Sequence, residues 1–376
     1  MKKVLLLCFF LLCACAPNPS VEQESQLDTI DQQIANMSIR EKVGQLFIIR
    51  PDALDFNLDT EVISNPHVEG ITDVNETFLT NYQNYPVGGF IMFAKNIDNP
   101  EQITNFISHI KEHSSTTPFI AVDEEGGDIA RLANNENFDL PQFPNVGELS
   151  EQGISPYDMG QTIGQYLKTY GFNINFAPVA DVNTNPNNPV IGLRSFSSDP
   201  NIVRESAKQF ANGLIENQII PVYKHFPGHG DTHQDSHAGV AFSNKTKDEM
   251  LNCEWLPFLD AKQAIMVGHI AIPEVSYSYL PATFSNKVLQ DILRKELGFE
   301  GVIITDSLDM GGVTDLYEPG EAATKAILAG NDILLMPHDL KEAFDSVVKA
   351  VEDGTISTER LDQSVKRILT LKQSIN

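Results

Sequence analysis

The segment from Lys224 to His237 concentrates side chains that can transfer protons. It reads Lys-His-Phe-Pro-Gly-His-Gly-Asp-Thr-His-Gln-Asp-Ser-His, and its glycines and proline favour a structured loop over a continuing strand or helix. The loop ends in Asp235-Ser236-His237, and in an extended Asp-x-His the two side chains share a side. The carboxylate can then hydrogen-bond one imidazole nitrogen and leave the other for a substrate, which is how an acid/base dyad is built.

Two other interpretations of this loop stay open. Its histidines and aspartates could bind a metal ion, although no His-x-x-x-His pair on a helix supports a metal site. The loop could also be purely structural. The dyad is the favoured interpretation, and no metal ion or cofactor is expected.

A second carboxylate stands at the end of a buried apolar run. The sequence Gly-Val-Ile-Ile-Thr leads directly to Asp306. An ionised aspartate that faces an anomeric carbon can form a covalent glycosyl ester, which an acid/base group then helps water to hydrolyse. Asp309 is the nearest rival, but it falls in the following loop, where we expect it to cap a turn. Asp306 is therefore the predicted nucleophile.

The elements that must position these residues alternate along the chain. From Ile39 onward, short β-rich apolar runs alternate with stretches of helical spacing, a pattern typical of a parallel sheet with crossover helices. Eight strands are predicted, and they make one closed (β/α)8 TIM-type barrel of the α/β class. The predicted strands are Leu46–Arg50, Gly89–Phe93, Phe119–Asp123, Asn173–Ala177, Pro221–His225, Ile265–His269, Val302–Asp306 and Ile333–Met336.

Several crossover helices have readable beginnings. Asp199 and the proline after it precede a predicted helix over 201–217, and Ser285 precedes one over 287–296. A last helix is predicted over about 359–373. Its apolar positions, expected to face the barrel, are Leu361, Val365, Ile368 and Leu371.

One segment does not fit a plain barrel connection. Residues 51–86 are rich in aspartate and asparagine and are too long for an ordinary barrel loop. They predict an insertion over one face of the barrel.

Polar side chains collect where the predicted strands end. In such a barrel the active site lies at the C-terminal ends of the strands. A single Asp or His there could be a helix cap or a core hydrogen-bonding group, but several on one rim must be paired or used. The residues at these positions are Asp123, Asp181, Lys224, His225, His269 and Asp306.

Residues 1–14 are predicted to be a lipoprotein signal peptide. Two lysines precede an apolar run over 4–12, which is too short to span a bilayer. The following Leu-Cys-Ala-Cys resembles the bacterial lipobox, in which Cys15 becomes the lipidated first residue; an ordinary signal peptide cut nearby is the alternative. Residues 15–28 are polar and aperiodic, as in a tether, and 29–376 form one catalytic domain. Only Cys253 would remain in that domain, so no disulfide framework is available.

The composition argues against some partners. The 376 residues include 26 Lys plus Arg and 51 Asp plus Glu, a net charge of -25 at pH 7. Such a surface repels phosphate backbones and anionic lipids, so nucleic acid is not an expected partner. Contact with a membrane is expected through the lipid anchor only, and the acidity favours a monomer.

Several motifs together resemble the bacterial β-N-acetylglucosaminidases of glycoside hydrolase family 3. The likeness runs from about Ile39 to the C-terminus, and the Lys-His-Phe-Pro-Gly-His-Gly-Asp-Thr loop ending in Asp-Ser-His is its most specific part. The other motifs are Asp123-Glu124-Glu125-Gly126-Gly127, Asn175-Phe176-Ala177-Pro178-Val179-Ala180-Asp181-Val182, Arg194-Ser195-Phe196-Ser197, Ile304-Thr305-Asp306 and Ala329-Gly330-Asn331-Asp332 leading to Leu335-Met336-Pro337.

The resemblance implies roles for individual residues. It implies Asp306 as nucleophile and His237, oriented by Asp235, as general acid/base, in agreement with the chemistry argued above. It also implies that five residues hold the hydroxyls and the N-acetyl group of the non-reducing sugar. These five are Asp123, Arg131, Arg194, Lys224 and His225.

The sequence departs from the family pattern at three positions. Glu124 stands where glutamine is usual, Asp128 where arginine is usual, and Leu193 where an acidic residue is common. The last two adjoin Arg131 and Arg194, so they could change how these arginines are oriented.

Taken together, the resemblance and the residues predict a retaining, exo-acting β-N-acetylglucosaminidase. The implied substrate is a small carbohydrate, N-acetylglucosamine β-linked to N-acetylmuramic acid in cell-wall fragments. The protein is expected to be an exported lipoprotein, anchored to a bacterial membrane and facing the periplasm or the cell exterior. The alternatives are a β-N-acetylglucosaminide phosphorylase on the same fold and a non-catalytic, surface-displayed sugar-binding lipoprotein.

Overall fold

The computed structural model describes residues 29–236 and 239–375. The predicted signal peptide, the lipidated Cys15 with its tether, and His237 lie outside the described residues. Within them, eight parallel strands form one sheet, labelled here β1 to β8. Their bounds are Phe47–Ile49, Gly89–Ile91, Phe119–Val122, Ile174–Asn175, Ile220–Phe226, Ala264–Val267, Val302–Thr305 and Leu334–Leu335.

The sheet closes on itself. Each strand pairs with the next one in the chain from β1 to β7, and β1 also pairs with β8, with Phe47 opposite Leu334. A parallel bridge between Ile304 and Ile333 joins β7 to the residue before β8. The predicted barrel is therefore confirmed, although most strands are shorter than predicted because the chain leaves the ladder before the polar residues at the barrel mouth.

Helices surround the sheet and cover its outer face. The predicted helix over 201–217 is observed as Pro200–Glu216, and the Asp199 side chain accepts a hydrogen bond from the backbone N–H of Asn201. The predicted helix over 287–296 has these bounds, but it is a π-helix. No helix among the described residues is both long and apolar enough to cross a membrane. The helices are Ile39–Gln45, Thr60–Ser64, Glu76–Asn84, Pro100–Glu112, Leu149–Gln152, Pro156–Thr169, Pro200–Glu216, Lys247–Asn252, Pro273–Ser276, Lys287–Glu296, Gly311–Thr314, Pro319–Ala329, Leu340–Glu352 and Thr358–Gln373.

The last helix packs as the sequence predicts. It spans Thr358–Gln373, and its apolar residues face the barrel because they recur at helical spacing. All four predicted core positions are buried: Leu361, Val365, Ile368 and Leu371.

The predicted insertion stands at the barrel mouth. Residues 51–86 contain a short 3-10 turn, Pro51–Leu54, and the helices Thr60–Ser64 and Glu76–Asn84. Side chains from 53–64 line a cavity of about 190 Å³ together with residues that follow β8. The insertion thus builds one wall beside β1 and β8, at the end of the barrel where the active site is expected.

Two short ribbons shape the loops above the barrel. Glu124–Gly126 pairs antiparallel with Ile129–Ala130 directly after β3. Ala241–Phe242 pairs in parallel with Ile270–Ala271, which ties the end of the β5 loop to the β6 loop. Each ribbon turns its loop back over the barrel mouth.

Candidate active site

A cavity of about 250 Å³ opens at the C-terminal ends of the strands. It brings together residues that follow β3, β5 and β7 and are far apart in sequence. Six sequence-predicted site residues line it: Asp123, Arg131, Arg194, Lys224, His225 and Asp306. The cavity is also lined by Arg50, Glu125, His229, Ser236 and Asp309, to which the sequence analysis assigned no role at this site.

Glu125 joins the cations on one side of the cavity. Its Oε1 lies 2.6 Å from Lys224 Nζ, and its two oxygens accept hydrogen bonds from Arg194 Nη2 and Nε at 2.8 and 2.9 Å. Burial alone would raise the pKa of Glu125, but the charges of Lys224 and Arg194 outweigh burial and hold this pKa far below its usual value. Glu125 is therefore ionised, and its charge keeps both cations in place.

Asp123 completes this group of charges. Lys224 Nζ donates to Asp123 Oδ1 at 2.9 Å, and Arg131 Nη2 lies 3.9 Å from Asp123 Oδ2. Burial would lower the pKa of Lys224, but Asp123 and Glu125 raise it above its ordinary value. With three cations and two carboxylates, the cavity wall presents charged donors and acceptors suited to the hydroxyl groups of a sugar.

The turn after β3 explains how Arg131 reaches the cavity. Gly126 and Gly127 adopt positive φ angles of 95° and 56°, which favour glycine, and they reverse the chain. The buried carboxylate of Glu124 then accepts hydrogen bonds from three consecutive backbone N–H groups that begin at Arg131, at 2.7 to 2.9 Å. Burial raises the pKa of Glu124, although these hydrogen bonds lower it in part.

Asp128 and Leu193, two of the departures from the family pattern, do not contact the nearby Arg131 and Arg194. Asp128 pairs with the amide group of Asn145. Leu193 is exposed, at 56%, and Arg194 nevertheless forms its two-point contact with Glu125. The orientation of Arg194 is thus set by its two hydrogen bonds to Glu125.

Asp181 and His269 lie behind the rim. Asp181 is fully buried, and its Oδ2 lies 2.7 Å from His225 Nδ1. Burial would raise the pKa of Asp181, but His225 lowers it below its usual value. His269 is also buried, with Nε2 at 2.8 Å from the backbone oxygen of Ser307. These two residues support others at the rim and do not line the cavity.

Asp306 follows β7 directly. Its backbone N–H donates to Val267 O at 2.8 Å, which continues the ladder, and its Oδ1 accepts from the N–H of Ser307 at 2.8 Å. Asp309 lies in the turn that follows, and its Oδ1 accepts a hydrogen bond from the Ser307 hydroxyl. Its Oδ2 lies 2.5 Å from Arg50 Nη1, across the barrel closure. That ion pair keeps Asp309 in the wall of the cavity, close to Asp306.

Two residues of the loop after β5, His229 and Ser236, line the cavity. Asp235, next to Ser236, is partly exposed. The role predicted for His237 stays a prediction. The sequence analysis did not assign Glu125 to the site, but its spacing could have done so. Asp123 and Glu125 are two residues apart, and in an extended chain such side chains point to the same side.

The chain matches one family model over most of its length. The model is that of the Glycosyl hydrolase family 3 N terminal domain, and it matches residues 38–371. Beta-hexosaminidase A of Pseudoalteromonas piscicida is 36% identical over 322 residues, 77% of this chain and 54% of that protein. The chain thus spans about half the length of that relative.

Two further proteins are similar over nine-tenths of this chain. Beta-hexosaminidase LpqI of Mycobacterium tuberculosis is 30% identical over 354 residues, 90% of this chain and 84% of that protein. The solved structure of a glycoside hydrolase family 3 beta-N-acetylglucosaminidase from Paenibacillus sp. str. FPU-7 superposes with a TM-score of 0.80 at 32% identity. That match covers 90% of this chain and 62% of the other.

Proposed function

Because this chain belongs to glycosyl hydrolase family 3, we propose that it is a retaining, exo-acting β-N-acetylglucosaminidase. The observation that carries the proposal is that Asp306 lines the same cavity as the group of Asp123, Glu125, Arg194 and Lys224. A carboxylate nucleophile opposite a set of polar groups that can hold sugar oxygens is what glycoside hydrolysis needs. The names of the relatives support N-acetylglucosamine as the sugar.

The reaction has two steps. Asp306 attacks the anomeric carbon, the bond to the leaving oxygen breaks, and that oxygen takes a proton from His237, oriented by Asp235. Water then attacks the glycosyl ester, gives its proton to the same histidine, and releases Asp306. A histidine with a pKa near neutrality can serve both steps without placing another carboxylate beside the nucleophile.

The five predicted sugar-holding residues bind the sugar both in the enzyme–substrate complex and in the transition state. We assign the non-reducing hydroxyls and the N-acetyl group to Asp123, Arg131, Arg194, Lys224 and His225, which line the cavity. We propose N-acetylglucosamine β-linked to N-acetylmuramic acid in cell-wall fragments as the substrate.

The test is turnover of 4-nitrophenyl β-N-acetylglucosaminide by the purified chain, wild type beside Asp306→Ala. Release of nitrophenol by the wild type alone supports both the sugar class and the nucleophile, and no release by either protein refutes the proposal. The reaction is repeated with phosphate, because a sugar 1-phosphate cannot arise by hydrolysis and would indicate a phosphorylase.

We further propose that the chain is a monomeric lipoprotein held to a bacterial membrane through Cys15 and facing the periplasm or the exterior. The support is the lipobox-like sequence that ends at Cys15. Mass spectrometry of the membrane-extracted protein should find acyl chains on Cys15 in the wild type and none in Cys15→Ala. Recovery of both proteins without lipid would refute the anchor.

A further inference from the structure

Ser236, the residue between Asp235 and His237, contacts two other parts of the chain. Ser236 is 2% exposed, and its Oγ lies 3.0 Å from Nε2 of His229. Its backbone carbonyl accepts a hydrogen bond from the N–H of Gly312 at 3.3 Å. Because Asp235 and His237 are its chain neighbours, the position of Ser236 limits where both can reach.

His229 is itself fixed to the end of the barrel. Its backbone N–H donates to Asp181 Oδ1 at 2.6 Å, and its Nδ1 lies 2.7 Å from the buried hydroxyl of Thr232. Asp181 also accepts from the backbone N–H of His225. One buried carboxylate thus positions a predicted sugar-holding histidine and the histidine that meets Ser236.

Gly312 provides the second support. It lies in the short helix Gly311–Thr314, shortly after Asp306 in the chain, and it is not among the glycines with positive φ. Its backbone conformation therefore does not require glycine. The packing around it favours glycine, since a Cβ atom at Gly312 would lie 3.1 Å from His269 Cβ and from Ser236 O and 3.2 Å from Gly239 O, so that the β5 loop would have to move by a few tenths of an ångström.

We propose that His229 and Gly312 are positioning residues that hold the acid/base loop against the loop carrying the nucleophile, with Ser236 as the point of attachment. The inference rests on the roles proposed above for Asp235, His237 and Asp306. Proton transfer needs heavy atoms within about 3 Å of each other. If the loop is displaced at Ser236, the enzyme should therefore lose acid catalysis, while the cavity should still bind the sugar.

The first test compares leaving groups in Ser236→Ala and Gly312→Ala. On methyl β-N-acetylglucosaminide, which has a poor leaving group, Ser236→Ala should lose up to about a hundred-fold in kcat/KM, because misplacement of a catalytic group by about 1 Å costs up to that factor. Gly312→Ala, which displaces the loop by only a few tenths of an ångström, should show a smaller loss in the same direction. Dinitrophenolate leaves with little need for a proton. On the dinitrophenyl glycoside, the rate of the first, bond-breaking step should therefore fall by less than about three-fold. KM should change little in either case.

The matched control is Ser243→Ala. Ser243 is also 2% exposed, but its Oγ donates to Asp231 at 2.8 Å, in a contact that involves neither His229 nor Gly312. It should keep the wild-type ratio between the two substrates. A rescue variant, His229→Gln, retains a side-chain donor and should lose less than His229→Ala on the methyl glycoside.

The second test does not depend on turnover. Amide hydrogen exchange over residues 231–243 should be faster in Ser236→Ala and Gly312→Ala than in the wild type and Ser243→Ala. Equal exchange in all four proteins, or equal loss on both substrates, would overturn the positioning role. A wild type inactive on every sugar, with faster loop exchange in the two variants, would refute the proposed function and leave the attachment of the loop standing.

Discussion

Glu125 and Lys224 form an ion pair of 2.6 Å in which neither side chain is more than 4% exposed. Arg194 shares the same carboxylate, so Glu125 links the buried Lys224 to the partly exposed Arg194. Glu125→Gln should lower kcat/KM on 4-nitrophenyl β-N-acetylglucosaminide by about a hundred-fold and the free energy of unfolding by about 3 kcal/mol, because it removes the charge that Arg194 and the buried Lys224 share and leaves Lys224 with Asp123 alone. Steady-state kinetics and urea denaturation measure these changes. The exposed Glu151 supplies the control, Glu151→Gln, and equal behaviour of both variants would contradict the role given to Glu125.

Asp306 and Asp309 can be told apart by isosteric substitution. Asp306→Asn should lose at least about a thousand-fold in kcat, because a missing nucleophile removes the covalent step. Asp309→Asn weakens the pair with Arg50 and the contacts with the Ser307 and Ser64 hydroxyls but removes no nucleophile, so about a ten-fold loss or less is expected. Trapping with a 2-deoxy-2-fluoro glycoside followed by peptide mass spectrometry locates the ester. An ester on Asp309 would reverse the assignment.

His237→Ala should affect poor leaving groups most. Removing the general acid raises the barrier where the departing oxygen needs a proton, so activity on methyl or sugar aglycones should fall by about a hundred-fold or more beyond the loss on nitrophenyl glycosides. Initial rates on the two substrate types measure the difference. Asp235→Ala should show the same trend, and equal losses on both substrates would remove His237 from the acid role.

Because Lys372 is buried, we predict that the free energy of unfolding depends on pH. Its Nζ donates to Gln45 Oε1 and Gly88 O, both at 2.8 Å, and burial lowers the pKa of Lys372 to about 7. An unfolded chain keeps the proton up to about pH 10. Between these values the unfolded state binds more protons, so the free energy of unfolding rises with pH.

The wild type should therefore gain about 2 kcal/mol relative to Lys372→Met between pH 7 and pH 9. Urea denaturation at several pH values measures this difference. Lys366→Met, on the same helix but with its side chain 40% exposed, should show no such trend. A constant difference between wild type and Lys372→Met would contradict the lowered pKa.

The sequence predicted the barrel because its strands are buried on both faces. Such strands appear as short continuous apolar runs, and all eight runs correspond to strands. The π-type winding of Lys287–Glu296 was not predictable, because ten residues cannot separate a helical period of 3.6 from a slightly wider one. The five residues predicted to hold the sugar line the cavity, and the sequence pointed to them because they follow these runs or match a family motif.

Other parts of the site depend on the folded chain. Arg50 and Asp309 are far apart in sequence, and only the pairing of β1 with β8, next to β7, brings them together. The sequence located His229 in the loop, but its contact with Ser236 depends on how that loop folds back. Glu125 could have been recognised from its spacing to Asp123, since the two share a side.

The pairing of β1 with β8 can form only after most of the chain has been synthesised. The helix Ile39–Gln45, which directly precedes β1, is joined to late elements by Lys42 with Asp362 at 2.7 Å and by Arg40 with Asp345 at 3.1 Å. A ribosome delivers residues 334 and 335 long after β1, so one side of β1 has no partner while most of the chain is made. Unpaired strand edges recruit other chains, and a ribosome stalled before residue 334 therefore holds a sheet open at two edges.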